Sequence, residues 1–447
     1  MSGRVLNVLA EPGIDSEHLV ARLSERFRDA ALRDPSIAPT PGTRAEAERR
    51  LAELDPRAYG KTRNALDGAV SRLSPFIRHG VVTLAEARAR ALAKAPHSAA
   101  YKFVQELAWR DYYRRVYAMI GHGVWSDIEP YKTGHRAQSY AQLLPGDILA
   151  AQTGVPWIDG LITELHGTGW LHNHARMWLA AYVVHFRRVR WQAGARWFLA
   201  HLIDGDPASN NLSWQWVAST FGNKPYIFNR ANAEKYAAAR FADLRAAPPT
   251  DDPFATSYER LNARLFGDQR DGTGDPDPLA RLAAKQTALP ASSLELDGPA
   301  VVWLTPDAIG QANTAALVHA QAPRVFVLDA AWIDRAHITL KRLVFLAQAA
   351  LDAGATLLAG DVADEVVAFA RAHGVRGVAM TASIEPDICS QAQAIEARLP
   401  LQIVEAPGFL APEPEFASKD LKRFSRYWRK AEAAAFVSDS GQLALFA

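Results

Sequence analysis

Apolar residues recur at helical spacing through residues 41–246, and then give way to short, fully apolar runs. The stretches 43–60 (TRAEAERRLAELDPRAYG), 98–121 (SAAYKFVQELAWRDYYRRVYAMIG) and 167–191 (GTGWLHNHARMWLAAYVVHFRRVRW) each place apolar side chains at i, i+3 and i+4. Each therefore predicts a helix, the third started by its Gly-Thr-Gly turn. No period-two alternation interrupts them, so 41–246 reads as all-α. Residues 1–40 form a weakly patterned entry segment that ends in the Pro-rich SIAPTPG. AAPPTDDP closes the helical region, one short helix (SYERLNARLF) follows, and GDQRDGTGDPDP has the Gly, Pro and Asp content of a linker, so 247–298 reads as a connector. From 299 the apolar runs AVVWL (300–304), RVFVLD (324–329), ATLLAGD (355–361), RGVAM (376–380) and LQIV (401–404) alternate with amphipathic stretches such as LKRLVFLAQAALDAG and VADEVVAFARAHG. Continuous apolar strands between helices predict a doubly wound parallel α/β sheet, covered on both faces, over 299–430. Residues 431–447 form a tail.

Composition narrows the class. Of 447 residues, 49% are hydrophobic and 22% charged, enough apolar content for large cores. The formal net charge is +2, so any nucleic-acid contact must come from a local patch rather than the global field. The one cysteine, Cys389, excludes an internal disulfide and an iron–sulfur cluster and fits a cytoplasmic protein. The N-terminus lacks a signal-peptide h-region, and no stretch has the length of a membrane span. Twelve tryptophans, most in the first half, point to large cores, a flat ligand or electron transfer. No GxGxxG follows the first strand of the α/β region, so a dinucleotide site there is not supported.

Two helical stripes and one loop carry candidate chemistry. Glu106, Trp109 and Arg110 lie at i, i+3 and i+4, so one face presents a carboxylate, an indole and a guanidinium. On spacing alone the better reading of the stripe is a surface ion pair, Glu106 with Arg110, beside a half-buried Trp109. Asn173, Arg176 and Met177 repeat the spacing. In HLIDGDPASNNLSWQWVAS, Asp204 and Asp206 flank a glycine, Asn210 and Asn211 follow, and Trp214 and Trp216 close the segment. The two aspartates lack the further oxygens of a calcium loop, and no histidine–carboxylate set completes a transition-metal site. A ligand bearing hydroxyls and ring nitrogens is the better use of such a cluster.

The segments SRLSP (71–75), ELAWRDYYRR (106–115), TGWLHNHARM (168–177) and DGDPASNNLSWQW (204–216) resemble, in order and spacing, the flavin-binding domain of the DNA photolyase/cryptochrome family. The resemblance runs from about Arg44 to Tyr236. It implies a U-shaped FAD, active as reduced FADH⁻, in a helical bundle. Tyr59, Ser71, Leu73 and Ser74 would meet the adenosine and pyrophosphate side. Phe103, Arg110, Asn173, Arg176, Asp204 and Asp206 would line the cofactor, with the Arg176–Asp204 pair against the flavin and Asn210 facing its N5. The resemblance also implies a repair site for cyclobutane pyrimidine dimers. Glu106 would hydrogen-bond the lesion, Trp109 and Trp216 would bracket it, Met177 would pack on it, and Arg63 would sit near the DNA strand. The family members that repair (6-4) photoproducts carry a histidine pair where this chain has Asn173 and Met177, which favours the cyclobutane dimer. Trp214 and Trp191 match the inner and middle members of the family's electron-transfer chain. The outer member falls on Gln138 in ungapped register, with Tyr140 the nearest aromatic.

The order of halves departs from the family, whose α/β antenna domain precedes the flavin domain. The tail half resembles that domain displaced, through VVWLTPDAIGQANTAALVHA, RVFVLD, LLAGDVADEV, SIEPDICSQAQ and DLKRFSRYWRKAE, so a circular permutation is expected. An antenna chromophore is not specified, because an α/β fold alone implies no ligand. At the C-terminus, Gln442, Leu443, Leu445 and Phe446 resemble the short peptide by which bacterial repair proteins dock on the sliding clamp; a tail folded back on its own surface is the alternative. The set Glu106, Trp109, Asn210, Met177 and Trp216 favours a dimer-repairing enzyme acting on damaged DNA; a cryptochrome-like blue-light receptor that binds FAD without repair is the alternative, and a non-catalytic flavin-bearing DNA-binding protein a third reading.

Overall fold

The computed structural model describes residues 6–267, 275–283 and 294–437. The helical reading of 41–246 is observed, with three local differences. The periodic run 43–60 is two helices, Arg44–Glu53 and Pro56–Thr62, because Asp55 accepts from the amides of Arg57 and Ala58 and so starts the second one, with Pro56 in its first turn. The Gly-Thr-Gly turn ends the preceding helix, Pro156–Thr168, at a left-handed Gly169 (φ +65°). The His172 ring then accepts from the His174 amide and opens Asn173–Ala181. That helix continues as a π-helical turn, Tyr182–Phe186, and Trp191–His201 is a separate helix.

The five apolar runs of the α/β region are strands: β2 (Ala300–Leu304), β3 (Arg324–Asp329), β4 (Ala355–Gly360), β5 (Gly377–Thr381) and β6 (Leu401–Val404). They pair in parallel in the order β4-β3-β2-β5-β6. The sheet is nevertheless mixed rather than wholly parallel. β1 (Val8–Ala10), from the entry segment, pairs antiparallel on the outside of β4, with Val8 opposite Leu358. Three residues are too few for a period-two signal to show. The helix Ser16–Arg26 follows and buries Leu19 and Leu23.

The stretch read as a connector packs at both described ends. Phe254 is buried and stacks on Phe228, with centroids 5.1 Å apart, and Asp252 pairs with Arg230 at 2.7 Å. The helix Pro278–Ala283 buries Leu279 and Leu282 in the main core. Here two or three large apolar groups outweigh a loop-like composition. The last helix, Phe424–Ala435, runs past the expected start of the tail and packs on His97–Ile120, where the Tyr427 hydroxyl donates to Asp111 at 2.6 Å. The peptide Gln442–Leu443–Leu445–Phe446 lies outside the described residues. Among the described residues no helix is long and apolar enough to cross a membrane.

Strand order reverses between β2 and β5, so the loops leaving their C-terminal ends diverge and open the crevice in which such sheets hold ligands. In this chain the helical half enters that crevice through Arg78, His79 and Gly80. Arg78 pairs with Glu385, beyond β5, at 2.6 Å. The His79 ring sits between the carbonyl oxygens of Pro306 and Ile203, at 2.6 and 2.9 Å. The amides of Ile309 and Ala312 donate to the carbonyls of His79 and Gly80, at 3.0 and 2.9 Å. Behind the docked turn one apolar core runs from Phe76 and Val81 to Leu343 and Phe345. A neighbouring buried pair, Asp34 with Lys341, ties the entry segment to the same interface.

Gly80 is left-handed (φ +66°), and a Cβ there would lie 2.8 Å from the Asp307 carbonyl oxygen and 2.9 Å from the Ala308 Cα. Gly80→Ala is therefore expected to lower stability by about 2 kcal/mol or more. Thermal unfolding followed by circular dichroism checks this; an unchanged midpoint would show that the turn does not dock as described.

Candidate functional site

A cavity of about 580 Å³ opens among the helices Pro56–Thr62, His97–Ile120, Asn173–Ala181 and Pro207–Ala218. It brings together residues that lie far apart in the chain: Tyr59, Ser71, Leu73 and Ser74; Phe103, Glu106, Trp109 and Arg110; Asn173, Arg176 and Met177; and Asp204, Asp206, Asn210, Trp214 and Trp216. Its volume is in the range of cofactor pockets, roughly 300–1,000 Å³.

The turn Asp204–Gly205–Asp206 forms the charged wall. Asp206 has a local reason to be there: it accepts from the Ala208 amide at 3.1 Å and caps Pro207–Ala218, with Pro207 in the first turn. It also accepts from Arg110 at 3.0 Å and from the Ser209 hydroxyl at 2.8 Å. Arg110 thus pairs across the cavity, not with Glu106 four residues before it. Burial alone would raise the Asp206 pKa, but the guanidinium groups of Arg110, Arg78 and Arg114 and the Ser209 bond pull it down to about 2. Asp204 accepts from Arg176 at 2.7 Å, and Arg176 also donates to the Leu171 carbonyl at 2.9 Å. Burial opposes ionisation of Asp204 as well; Arg176, Ser74 and Arg110 outweigh it and hold the carboxyl below its ordinary range. The second Asp204 oxygen, Oδ1, is buried without a hydrogen-bond partner. A buried carboxylate oxygen left in this way is a ready acceptor for a ligand N–H or O–H. The Asn210 amide NH₂ is committed to the Ala195 carbonyl (3.1 Å) and Asn211 Oδ1 (3.0 Å), which leaves its oxygen as a further acceptor.

On the Tyr59 side, the ring of that residue meets Phe103 edge-on at 5.2 Å. The Leu73 amide donates to the Ser71 hydroxyl at 3.4 Å, and Trp170 Nε1 donates to the Ser74 hydroxyl at 3.2 Å. Glu106 sits between two cations, Lys102 at 3.1 Å and Arg63 at 3.3 Å. Trp109 lines the cavity and is backed by Phe424 of the last helix, stacked at 3.9 Å with 9° between the planes. Trp216 leans on Tyr226 at 5.4 Å, and the Asn173 amide touches Met177 sulfur at 3.7 Å. Arg63, Trp109 and Trp216, the expected DNA contacts, all line the same opening.

Of the expected electron-transfer residues, only Trp214 reaches the cavity. The edge of its ring packs against Gly194, where a Cβ would come within 2.1 Å of it. Trp191 is buried, and its indole N–H donates to Asp127 at 2.6 Å. Tyr140 is 3% exposed, shares a 2.8 Å hydrogen bond with the Thr133 hydroxyl and stacks on Tyr131 at 4.6 Å, so it is an interior aromatic, not a solvent-facing one.

Several lining residues escape sequence reasoning. Lys102 was visible as the i,i+4 partner of Glu106. Arg72, inside SRLSP, adopts φ +49° and lays its guanidinium over Trp170 at 4.7 Å; a left-handed arginine has no sequence signal. His172 and His174 line the wall and are kept neutral, near pKa 4: for His172 by burial and then His174, for His174 by burial and then Arg63.

Comparison with known proteins adds to this geometry. Residues 103–241 match the FAD binding domain of DNA photolyase. The chain is 36% identical over 217 residues to the deoxyribodipyrimidine photo-lyase of Streptomyces griseus, covering 48% of this chain and 47% of that protein. It is 34% identical over 182 residues to the enzyme of the same name from Escherichia coli, covering 37% and 36%. The chain thus spans about half or less of the length of these curated relatives. Among solved structures, a bacterial class III photolyase from Agrobacterium tumefaciens superposes with TM-score 0.40 at 21% identity, over 50% of this chain and 54% of that one. A cryptochrome from Synechocystis superposes with TM-score 0.42 at 21% identity, over 56% and 57%.

The depressed Asp206 carboxyl makes a signed prediction. A folded-state pKa near 2, below the unfolded value near 4, stabilises the protein above pH 4, and that contribution is lost as pH falls toward 2. Wild type should therefore exceed Asp206→Asn in stability at pH 6, with the gap narrowing by about 1 kcal/mol at pH 3. Urea unfolding at the two pH values measures it; a gap independent of pH would refute the ionised pair.

Proposed function

We propose that the chain binds FAD in the cavity and, under light, splits cyclobutane pyrimidine dimers in DNA; the match of residues 103–241 to the FAD binding domain of DNA photolyase supports this reading. The observation that carries this reading is one opening that joins two chemistries. At its wall are Arg110, Arg176, Asn210 and the unpartnered Asp204 oxygen; at its mouth are Glu106, Trp109, Trp216 and Met177.

The fit to FAD rests on the donor set. Asp204 Oδ1 would accept from a flavin ring N–H, and Arg176 and Arg110 would supply positive charge beside a ring system that is anionic when reduced. Asn210 offers its oxygen to the flavin edge, and Ser71, Leu73, Ser74 and Tyr59 serve the adenosine and pyrophosphate end. Bound there in reduced form, FAD would supply light-driven electron-donor chemistry for opening the dimer's cyclobutane ring.

The chain's own residues bind and orient the lesion. A dimer flipped from the duplex enters between Trp109 and Trp216, which exclude water from its apolar faces, and Met177 fills the remaining gap. Trp109 is suited to this, because Phe424 holds its far face. Glu106 hydrogen-bonds the polar edge of a pyrimidine, and Lys102 and Arg63 offset negative charge as it arrives there. Arg63, which lines the same opening, is a cation available to a DNA phosphate. On the same reading, the α/β half is the family's antenna-type domain in permuted order.

The deciding measurement is blue-light illumination of the protein, flavin reduced, with a thymine-dimer oligonucleotide, following the return of thymine absorbance. Wild type is expected to repair it, and Glu106→Ala to lower the repair yield at least about tenfold with FAD still bound. Trp109→Ala should weaken lesion binding by about tenfold, the loss of one stacking partner. A bound, photoreducible flavin with no repair would move the assignment to a blue-light receptor.

A further inference from the structure

The turn that carries Asp204 and Asp206 is held from behind by the other half of the chain. Arg342 lies on the helix Leu340–Asp352, which leads into β4. One of its NH₂ groups donates to the Leu199 carbonyl and the other to the Gly205 carbonyl, each at 2.7 Å. Leu199 is in the last turn of Trp191–His201, whose closing carbonyls lack helical partners and attract cations. Gly205 is the residue between the two aspartates, and its carbonyl accepts a second charged N–H from Arg78 at 2.9 Å. Arg78 in turn pairs with Glu385 in the sheet crevice.

Three further facts single out Arg342. It is 3% exposed, and among the described residues no carboxylate pairs with it; the Trp332 ring lies beneath its guanidinium at 5.3 Å. Burial, then Arg78, push its pKa down, to about 9, against the pull of Glu385, Asp204 and Asp206. A cation buried without an ion pair is expensive, so its two carbonyl contacts are what hold it. A Cβ on Gly205 would lie 2.6 Å from Arg342 Nη1, so a side chain at this position would push the guanidinium off the turn.

We propose that Arg342 is a positioning residue for the cofactor site: by holding the Gly205 carbonyl it orients Asp204 and Asp206 and sets the affinity for FAD. This rests on the reading that FAD occupies the cavity. It also gives the α/β half a task in the helical half's chemistry that is independent of any pigment of its own.

The test is titration of apo-protein with FAD, followed by flavin fluorescence. Arg342→Met is expected to weaken FAD binding at least about tenfold, because a small displacement of a binding group is enough for such a loss. Lys341→Met, one residue away on the same helix and bonded to Asp34 across the same interface, should stay within about twofold of wild type. In an Asp204→Asn background the effect of Arg342→Met should shrink, since both changes act on one turn. Should Arg342→Met fail to fold, Gly205→Ala takes its place and should weaken FAD binding to a similar degree. Unchanged affinity in Arg342→Met, equal losses in both helix variants, or additive effects with Asp204→Asn would overturn the proposal. Failure of wild type to bind FAD would instead remove the cofactor reading, and this inference with it.

Discussion

Burying two carboxylates on either side of one glycine is costly, since each loses several kcal/mol of hydration. Asp204 and Asp206 are held there because each meets a separate guanidinium, Arg176 from one helix and Arg110 from another. Three helices of the cavity, His97–Ile120, Asn173–Ala181 and Pro207–Ala218, meet at this turn. Removing either cation would leave an unpaired charge in the interior, so the pairs set where His97–Ile120 and Asn173–Ala181 lie relative to Pro207–Ala218. Asp206 adds a local role as a helix cap, which ties the start of the last of these helices to the same point.

The α/β half takes part in that arrangement. A doubly wound sheet has one natural crevice, at its switch point, and here it receives a turn of the helical half. The same interface delivers Arg342 to the back of the Asp204–Asp206 turn. The two halves share one apolar core, and three ion pairs cross their contact: Arg78 with Glu385, Arg114 with Asp307 at 3.7 Å, Lys341 with Asp34. Such partners fix the register between the halves, which an apolar contact alone leaves loose.

Several expectations failed or shifted for identifiable reasons. The β1 strand is too short to carry a pattern, and it is held by the edge of β4, which no local reading contains. Residues 247–256 have a loop's composition, yet Phe254 and the Asp252–Arg230 pair hold them on the helical core. The stripe Glu106–Trp109–Arg110 allowed an ordinary ion pair along one helix; the partner chosen was Asp206, nearly a hundred positions on, because a buried carboxylate competes better than a half-exposed one.

What was settled by the sequence alone is periodic or ordered: the helical region, the five parallel strands almost to the residue, and four spaced segments that resemble a flavin-binding domain. These are legible because side-chain spacing determines secondary structure, and a motif's order survives without coordinates. Only the tertiary structure decided which charges pair, that Phe424 backs Trp109, that Tyr140 is enclosed, and that Arg342 reaches Gly205. Those outcomes depend on distances between residues far apart in the chain, and pair energies in a dry interior depend on separation and burial, which no local pattern encodes.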